Sequence, residues 1–290
     1  MSIQGSGDRL TKNEKREHAR ELARATREAD AKRKRRRRWI TQGGIGVGVI
    51  AIAAIVALVV TMGGKGSAGP LNMLSDGIVL QGDGTTTTAV QTAALAADAT
   101  PVPTDVTAKT TTANIVMYVD YLCPYCNQFE TANSAQIESW VKAGTATLEI
   151  HPIAILDSSS LGTKYSTRAA NAAACVANYD PNNFLAVSDA LYASQPDEGT
   201  AGLTNDELIS LVQGAGVTNT DVPACITKGT FGGWVTDETA RALKGPLPNS
   251  TVAAVTGTPT VIVNGTQYDG SLTDATVFSD FVTAQMTAAG

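Results

Sequence analysis

Apolar and polar positions divide the chain into stretches of different period. Residues 114–119, NIVMYV, are apolar, short and rich in β-favouring side chains, and read as a buried strand. After Cys123 the spacing becomes helical and continues to about Gly144, where glycine ends it. Residues 147–150 supply the next strand. Helical patterns follow over 167–179, 182–193 and 204–215, the last opening on Thr204-Asn205-Asp206-Glu207, in which threonine and glutamate can cap each other's backbone N–H groups. A further helix is predicted over 234–243. Strand-like sequence returns only at 260–263, with a turn at Asn264-Gly265, a partner strand at 267–268 and a last helix from 274 towards 288. The order strand, helix, strand, helical block, strand, strand, helix predicts one α/β domain over residues 111–290, with a helical subdomain inserted at about 155–245.

The preceding sequence has another character. Residues 63–110 are rich in Gly, Thr, Ala and Pro, including GDGTTTT and TPVPTD, and read as a linker. Within it, residues 71–80 are apolar enough to add a strand to the domain. Residues 40–62, ITQGGIGVGVIAIAAIVALVVTM, contain no charge. At about 1.5 Å per residue they are long enough to cross a hydrocarbon layer roughly 30 Å thick. A buried core helix is the plainer alternative, but the run follows KRKRRRR and precedes Gly-rich sequence. A cleaved signal peptide ending near Ser67-Ala68-Gly69 is the closer competitor, although its basic and apolar regions would both be too long. The reading adopted is a single transmembrane helix, with residues 1–39 cytoplasmic and everything after it outside the cell membrane. Trp39 suits the membrane interface.

Charge supports this division. Through Arg38 the chain carries 14 Lys and Arg against 6 Asp and Glu, a net of +8; the remainder carries 8 against 21, a net of −13. The basic run could suggest nucleic acid, but lying directly against an apolar span it is explained by topology and anionic lipid, so no nucleic-acid partner is expected. Residues 12–30 have helix-forming composition with one large aliphatic side chain, Leu22, and read as a solvated helix or a disordered segment.

The candidate chemistry is Cys123-Pro124-Tyr125-Cys126, placed between a predicted strand and helix. A cysteine at the helix N-cap meets unpaired backbone N–H groups and the positive end of the helix dipole, and Pro124 fits the first helical position. Such thiols ionise at roughly pH 3.5 to 7.5. One pKa unit corresponds to about 1.4 kcal/mol, or roughly 30 mV for a two-electron couple, so stabilising the thiolate makes the disulfide a stronger oxidant. Cys123 is then the outer, exchanging sulfur and Cys126, one turn inward, the resolving one. The alternatives are half of a zinc site completed by Cys175 and Cys225, or a structural disulfide within the motif. Against zinc, those two cysteines are isolated singles rather than a second close pair. Asp120 and Glu130 flank the motif and could tune proton transfer; an acid capping a strand end and a solvated helix acid are their simpler readings. His151 is the only histidine after the basic segment, and His151-Pro152 at a strand end reads as structural. No phosphate loop or dense cluster of metal-ligating residues appears, so no cofactor and no metal is expected.

Together VDYLCPYCNQFE and the distant GTPTVIVNG, in that order, resemble the DsbA family of extracytoplasmic thiol–disulfide oxidoreductases, and the anchored, acidic, Ala/Thr-rich form resembles its actinobacterial branch. The resemblance covers residues 111–290. It implies a thioredoxin-like fold with a helical insertion and a cis proline at Pro259, after Thr258, facing the motif. It also implies that Cys175 pairs with Cys225 within the insertion, two buried free thiols being the alternative. Such a crosslink would close a loop of about 50 residues, worth roughly 4 kcal/mol in the chain-entropy model. The implied partners are exported proteins with free cysteines and a membrane re-oxidase of the DsbB or vitamin K epoxide reductase type. Disulfide formation is the expected activity. A reductase or isomerase, and a non-enzymatic copper(I) or zinc carrier using the CPYC thiolates, remain as alternatives.

Overall fold

The computed structural model describes residues 66–105 and 112–288. The predicted cytoplasmic segment and transmembrane span lie outside these residues; among the described residues no helix is long and apolar enough to cross a membrane.

Six strands form one mixed sheet. They are β1 (Ile78–Gly82), β2 (Thr87–Ala89), β3 (Ala113–Val119), β4 (Ala146–Pro152), β5 (Thr260–Val263) and β6 (Thr266–Gln267), in the order β2-β1-β4-β3-β5-β6. Strands β3 and β4 run parallel, joined through helix α1 (Pro124–Lys142), and all other neighbours are antiparallel. The central strand β3 alternates: Ile115, Met117 and Val119 enter the main core with Phe129, Ile137 and Val141 of α1, whereas Tyr118 enters a second core on the other face. Period-2 alternation thus fills both faces, as expected for a central strand covered by helices. At the tip of β5–β6, Asn264 and Gly265 both take positive φ, 48° and 82°, the geometry of a tight two-residue hairpin turn.

Between β4 and β5 lie five α-helices: α2 (Tyr165–Tyr179), α3 (Phe184–Ala193), α4 (Asn205–Gly214), α5 (Asp221–Lys228) and α6 (Gly232–Lys244). Helix α2 is buried along nearly its whole length and is built on Ala169, Ala170, Ala172, Ala173, Ala174 and Ala177. Small side chains let its neighbours approach on every side at little entropic cost. A disulfide joins Cys175 of α2 to Cys225 of α5, with Cα atoms 5.9 Å apart. Helix α6 covers the second sheet face with Ala242 and Leu243, and α7 (Ala275–Ala288) packs Phe278 and Val282 onto the first. The predicted capping box at α4 is present, Thr204 and Glu207 each accepting from the other's backbone N–H.

Two expectations change. Residues 66–105 are packed against the domain instead of forming a plain linker: Met73, Ile78, Leu80 and Leu95 are buried, and the added strand runs over Ile78–Gly82 rather than through 71–80. Asp76 accepts from Trp234 Nε1 at 3.1 Å and from Arg241 through two nitrogens at 2.6 and 2.8 Å, which ties this arm to α6. Helix α5 has no counterpart among the predicted helices. It is eight residues long and contains Pro223, which is tolerated because it lies in the first turn.

Candidate active site

Strand β3 ends at Val119 and the chain turns through Asp120, Tyr121 and Leu122 into α1. Asp120 builds the turn. Its carboxylate is fully buried, one oxygen accepting from the Leu122 N–H at 2.8 Å and the other from the Leu156 N–H at 2.9 Å, while its carbonyl accepts from the Cys123 N–H at 2.9 Å. Burial pushes its pKa up to about 6 against these hydrogen bonds. Cys123 is thereby placed as the N-cap of α1, with extended backbone at φ −75° and ψ 117°, and Pro124 occupies the first helical turn.

Across from it, the Thr258–Pro259 peptide bond is cis, and the Cys123 thiol donates to the Thr258 carbonyl at 3.2 Å. Cys123 and Cys126 are both reduced and nearly covered, 4 % and 2 % exposed, whereas Tyr125 stands out at 55 %. The two sulfurs are driven apart in acidity. A hydrogen bond from the Cys126 thiol pulls the Cys123 pKa down against the cost of burial, with the Thr258 side chain and the Cys126 backbone N–H adding to it. Burial pushes Cys126 well up, and the neighbouring Cys123 sulfur adds to that. The outer sulfur is therefore the more readily ionised of the two, and the helix N-terminus favours negative charge on it. Cys175 and Cys225 are bonded to each other within the insertion and so are not available as further ligands. Among the described residues, no three His, Cys, Asp or Glu side chains are grouped to hold a metal.

The sequence carries no sign of two amides in the site. Asn127, in the first turn of α1, donates through Nδ2 to the Tyr192 carbonyl at 3.1 Å and to Gln195 Oε1 at 3.2 Å. Gln195 donates through Nε2 to the carbonyls of Tyr121 and Cys123, each at 3.0 Å. Both residues help line an open groove of about 530 Å³ beside Pro124. Gln195 sits in a connection containing Pro, Asp and Gly, where nothing in spacing or composition marks it.

His151 has a structural place. Its ring stacks on Tyr118 with centroids 4.3 Å apart and lies between the Glu149 and Glu238 carboxylates at 3.2 and 3.5 Å, so it forms no pair with the cysteines. Glu130, expected as a solvated acid, is instead buried at 8 % exposure, because α3 covers this side of α1. Burial pushes its pKa up to about 8, with the Asp189 charge adding. A raised folded value means that the folded chain binds a proton which the unfolded chain releases above about pH 4.5. Stability is then greatest below that pH and is lost as pH rises towards 8, at up to about 1.4 kcal/mol per pH unit for this group. We expect the melting temperature to fall between about pH 5 and 8, and Glu130→Gln to flatten that slope. Equal slopes in both proteins would show that Glu130 is ionised in the fold.

The family model described as Thioredoxin matches residues 106–281, which contain every residue of this site. The chain belongs to the thioredoxin family. Among solved structures of similar fold, the reduced disulfide bond oxidoreductase DsbG from Mycobacterium tuberculosis is 30 % identical, with a TM-score of 0.51 over 65 % of this chain and 87 % of that one. Reduced DsbA from the same organism is 27 % identical, with a TM-score of 0.52 over 74 % of this chain and 100 % of that one. BdbD from Bacillus subtilis, at 17 % identity and a TM-score of 0.53 over 77 % and 100 %, shares the fold. A sequence comparison with curated proteins gave no match. The likeness to these proteins of thioredoxin fold runs through most of their own length, so it extends well beyond the strand and helix that carry the CPYC motif.

Proposed function

We propose that the chain catalyses disulfide formation in exported proteins through Cys123 and Cys126. The supporting observation is the placement of Cys123 at the N-cap of α1, against the cis Thr258–Pro259 bond, with its thiol acidified and that of Cys126 suppressed. A client thiolate attacks the Cys123 sulfur of the oxidised pair, and Cys126 leaves as a thiolate that takes up a proton. A second client thiolate then attacks the client sulfur of the mixed disulfide and expels Cys123. Two electrons pass from the client dithiol to the cysteine pair, and the client keeps the new disulfide. Thr258, whose carbonyl already accepts from Cys123, lies where an extended client segment would pair beside the sulfurs.

On this reading residues 40–62 anchor the enzyme in the cell membrane with its catalytic domain outside, and a membrane oxidase of the DsbB or vitamin K epoxide reductase type removes the electrons. The acidified outer sulfur favours oxidation over reduction, because it stabilises the reduced protein. The deciding experiment is the reduction potential of the Cys123–Cys126 pair together with oxidation of a reduced, unfolded substrate protein. We expect a potential nearer the roughly −120 mV of a strong oxidant than the about −270 mV of a reductant. A value at the reducing end would reverse the assigned direction, and tight stoichiometric metal without turnover would replace exchange by metal carriage.

A further inference from the structure

Gln195 lies two residues beyond the end of α3, in the inserted helical block. All three of its side-chain hydrogen bonds run to the site: Nε2 donates to the Tyr121 and Cys123 carbonyls at 3.0 Å each, and Oε1 accepts from Asn127 at 3.2 Å. The Cys123 carbonyl also accepts the Asn127 backbone N–H at 3.2 Å, the bond that opens α1. Asn127 is in turn fixed by the Tyr192 carbonyl and by the Thr131 hydroxyl, which donates to its Oδ1 at 3.1 Å.

We infer that Gln195 is a positioning residue through which the inserted helices set the reactivity of Cys123; this rests on the thiol–disulfide exchange reading. The carbonyl oxygens of Tyr121 and Cys123 place partial negative charge beside the loop that carries the sulfur. Two amide hydrogens oppose that charge and fix the Cys123 peptide plane, so the sulfur stays over the N-terminus of α1, where negative charge is stabilised. No other side chain donates to either carbonyl among the hydrogen bonds of the described residues. Any displacement of the end of α3 breaks the same bonds, so the insertion and the nucleophile are mechanically joined.

The test uses the full-length chain in detergent, with the ultraviolet absorbance of the Cys123 thiolate followed against pH and its alkylation by iodoacetamide timed just below the wild-type midpoint. Losing a neutral hydrogen bond changes an equilibrium by roughly threefold to tenfold. Gln195→Ala should therefore raise the thiolate midpoint and slow alkylation by a factor in that range. Gln195→Glu, of equal size but unable to donate when ionised, should raise it further. Asn127→Leu keeps both Gln195 donor bonds while removing the amide that orients it, together with that amide's bonds to the Tyr192 carbonyl and the Thr131 hydroxyl, and should shift the midpoint in the same direction by less, which gives a second handle if a Gln195 variant does not fold. Unchanged or lowered midpoints in variants that fold would overturn the inference, even if their melting temperatures fall. Client oxidation by the wild-type chain is scored separately, so a failure of the exchange reading is told apart from a failure of the Gln195 assignment.

Discussion

Replacing Cys126 with serine is expected to leave exported clients covalently held on the enzyme. Cys123 alone can still attack a client disulfide, forming one new S–S bond and expelling the client's other sulfur. Cys126, which would break the new bond by attacking the Cys123 sulfur, is then missing, so release is left to the client's own sulfurs. Because burial raises the Cys126 pKa while that of Cys123 is lowered, Cys126 is the poorer attacking sulfur and does not substitute for Cys123. Cys123→Ser should accordingly trap few clients or none. Non-reducing gels of the membrane fraction would display the difference as high-mass bands that collapse with thiol. Bands in the Cys123→Ser strain alone would invert the two roles, bands in neither would remove the support for exchange, and bands confined to the soluble fraction would count against the anchor.

The second large effect is on stability. Cys175 and Cys225 lie 50 residues apart in sequence and are buried in the packed helical block. Removing a crosslink of that span, as in Cys175→Ala/Cys225→Ala, should cost roughly 4 kcal/mol in the chain-entropy model, a large share of the roughly 5–15 kcal/mol that holds an ordinary domain together. For a domain of this size we expect the melting temperature to drop by about 10 °C. The Cys123 thiolate should titrate as before, because this disulfide contributes no atom to the site. A crosslink found by peptide mapping between Cys175 and either Cys123 or Cys126 would reject the separation of structural from exchanging sulfurs.

Those sulfurs are legible in the sequence because two local rules coincide there. A run of β-branched and apolar residues stops at Val119, and a cysteine followed by proline opens a helical pattern. The strand and helix order of the thioredoxin core is legible for the same reason, since each element carries its own period. The arm of residues 66–105 is legible only in its added strand, because its other buried side chains are scattered among Gly, Thr and Pro and its order comes from bonds to distant residues, such as Asp76 to Trp234 and Arg241. Glu130 escapes for a related reason: helical spacing places it on α1, but its burial depends on α3, far along the chain. Gln195 works through backbone carbonyls of Tyr121 and Cys123, and no residue type at its partners' positions could announce it.

The family match starts at residue 106, yet β1 begins at Ile78 and pairs along β4 at Ile78–Ile150, Val79–Glu149 and Leu80–Leu148. A chain trimmed to the family's limits would leave that side of β4 with unpaired N–H and C=O groups beside apolar Leu148 and Ile150, the kind of open edge that recruits strands from other molecules. In the folded chain the arm covers that edge. Its own outer strand, β2, is only three residues long and carries Thr87 and Thr88, with the Ala89 N–H donating to Asn182 Oδ1 at 3.1 Å, so the sheet edge passes to a short, polar segment that is a poor template for another chain.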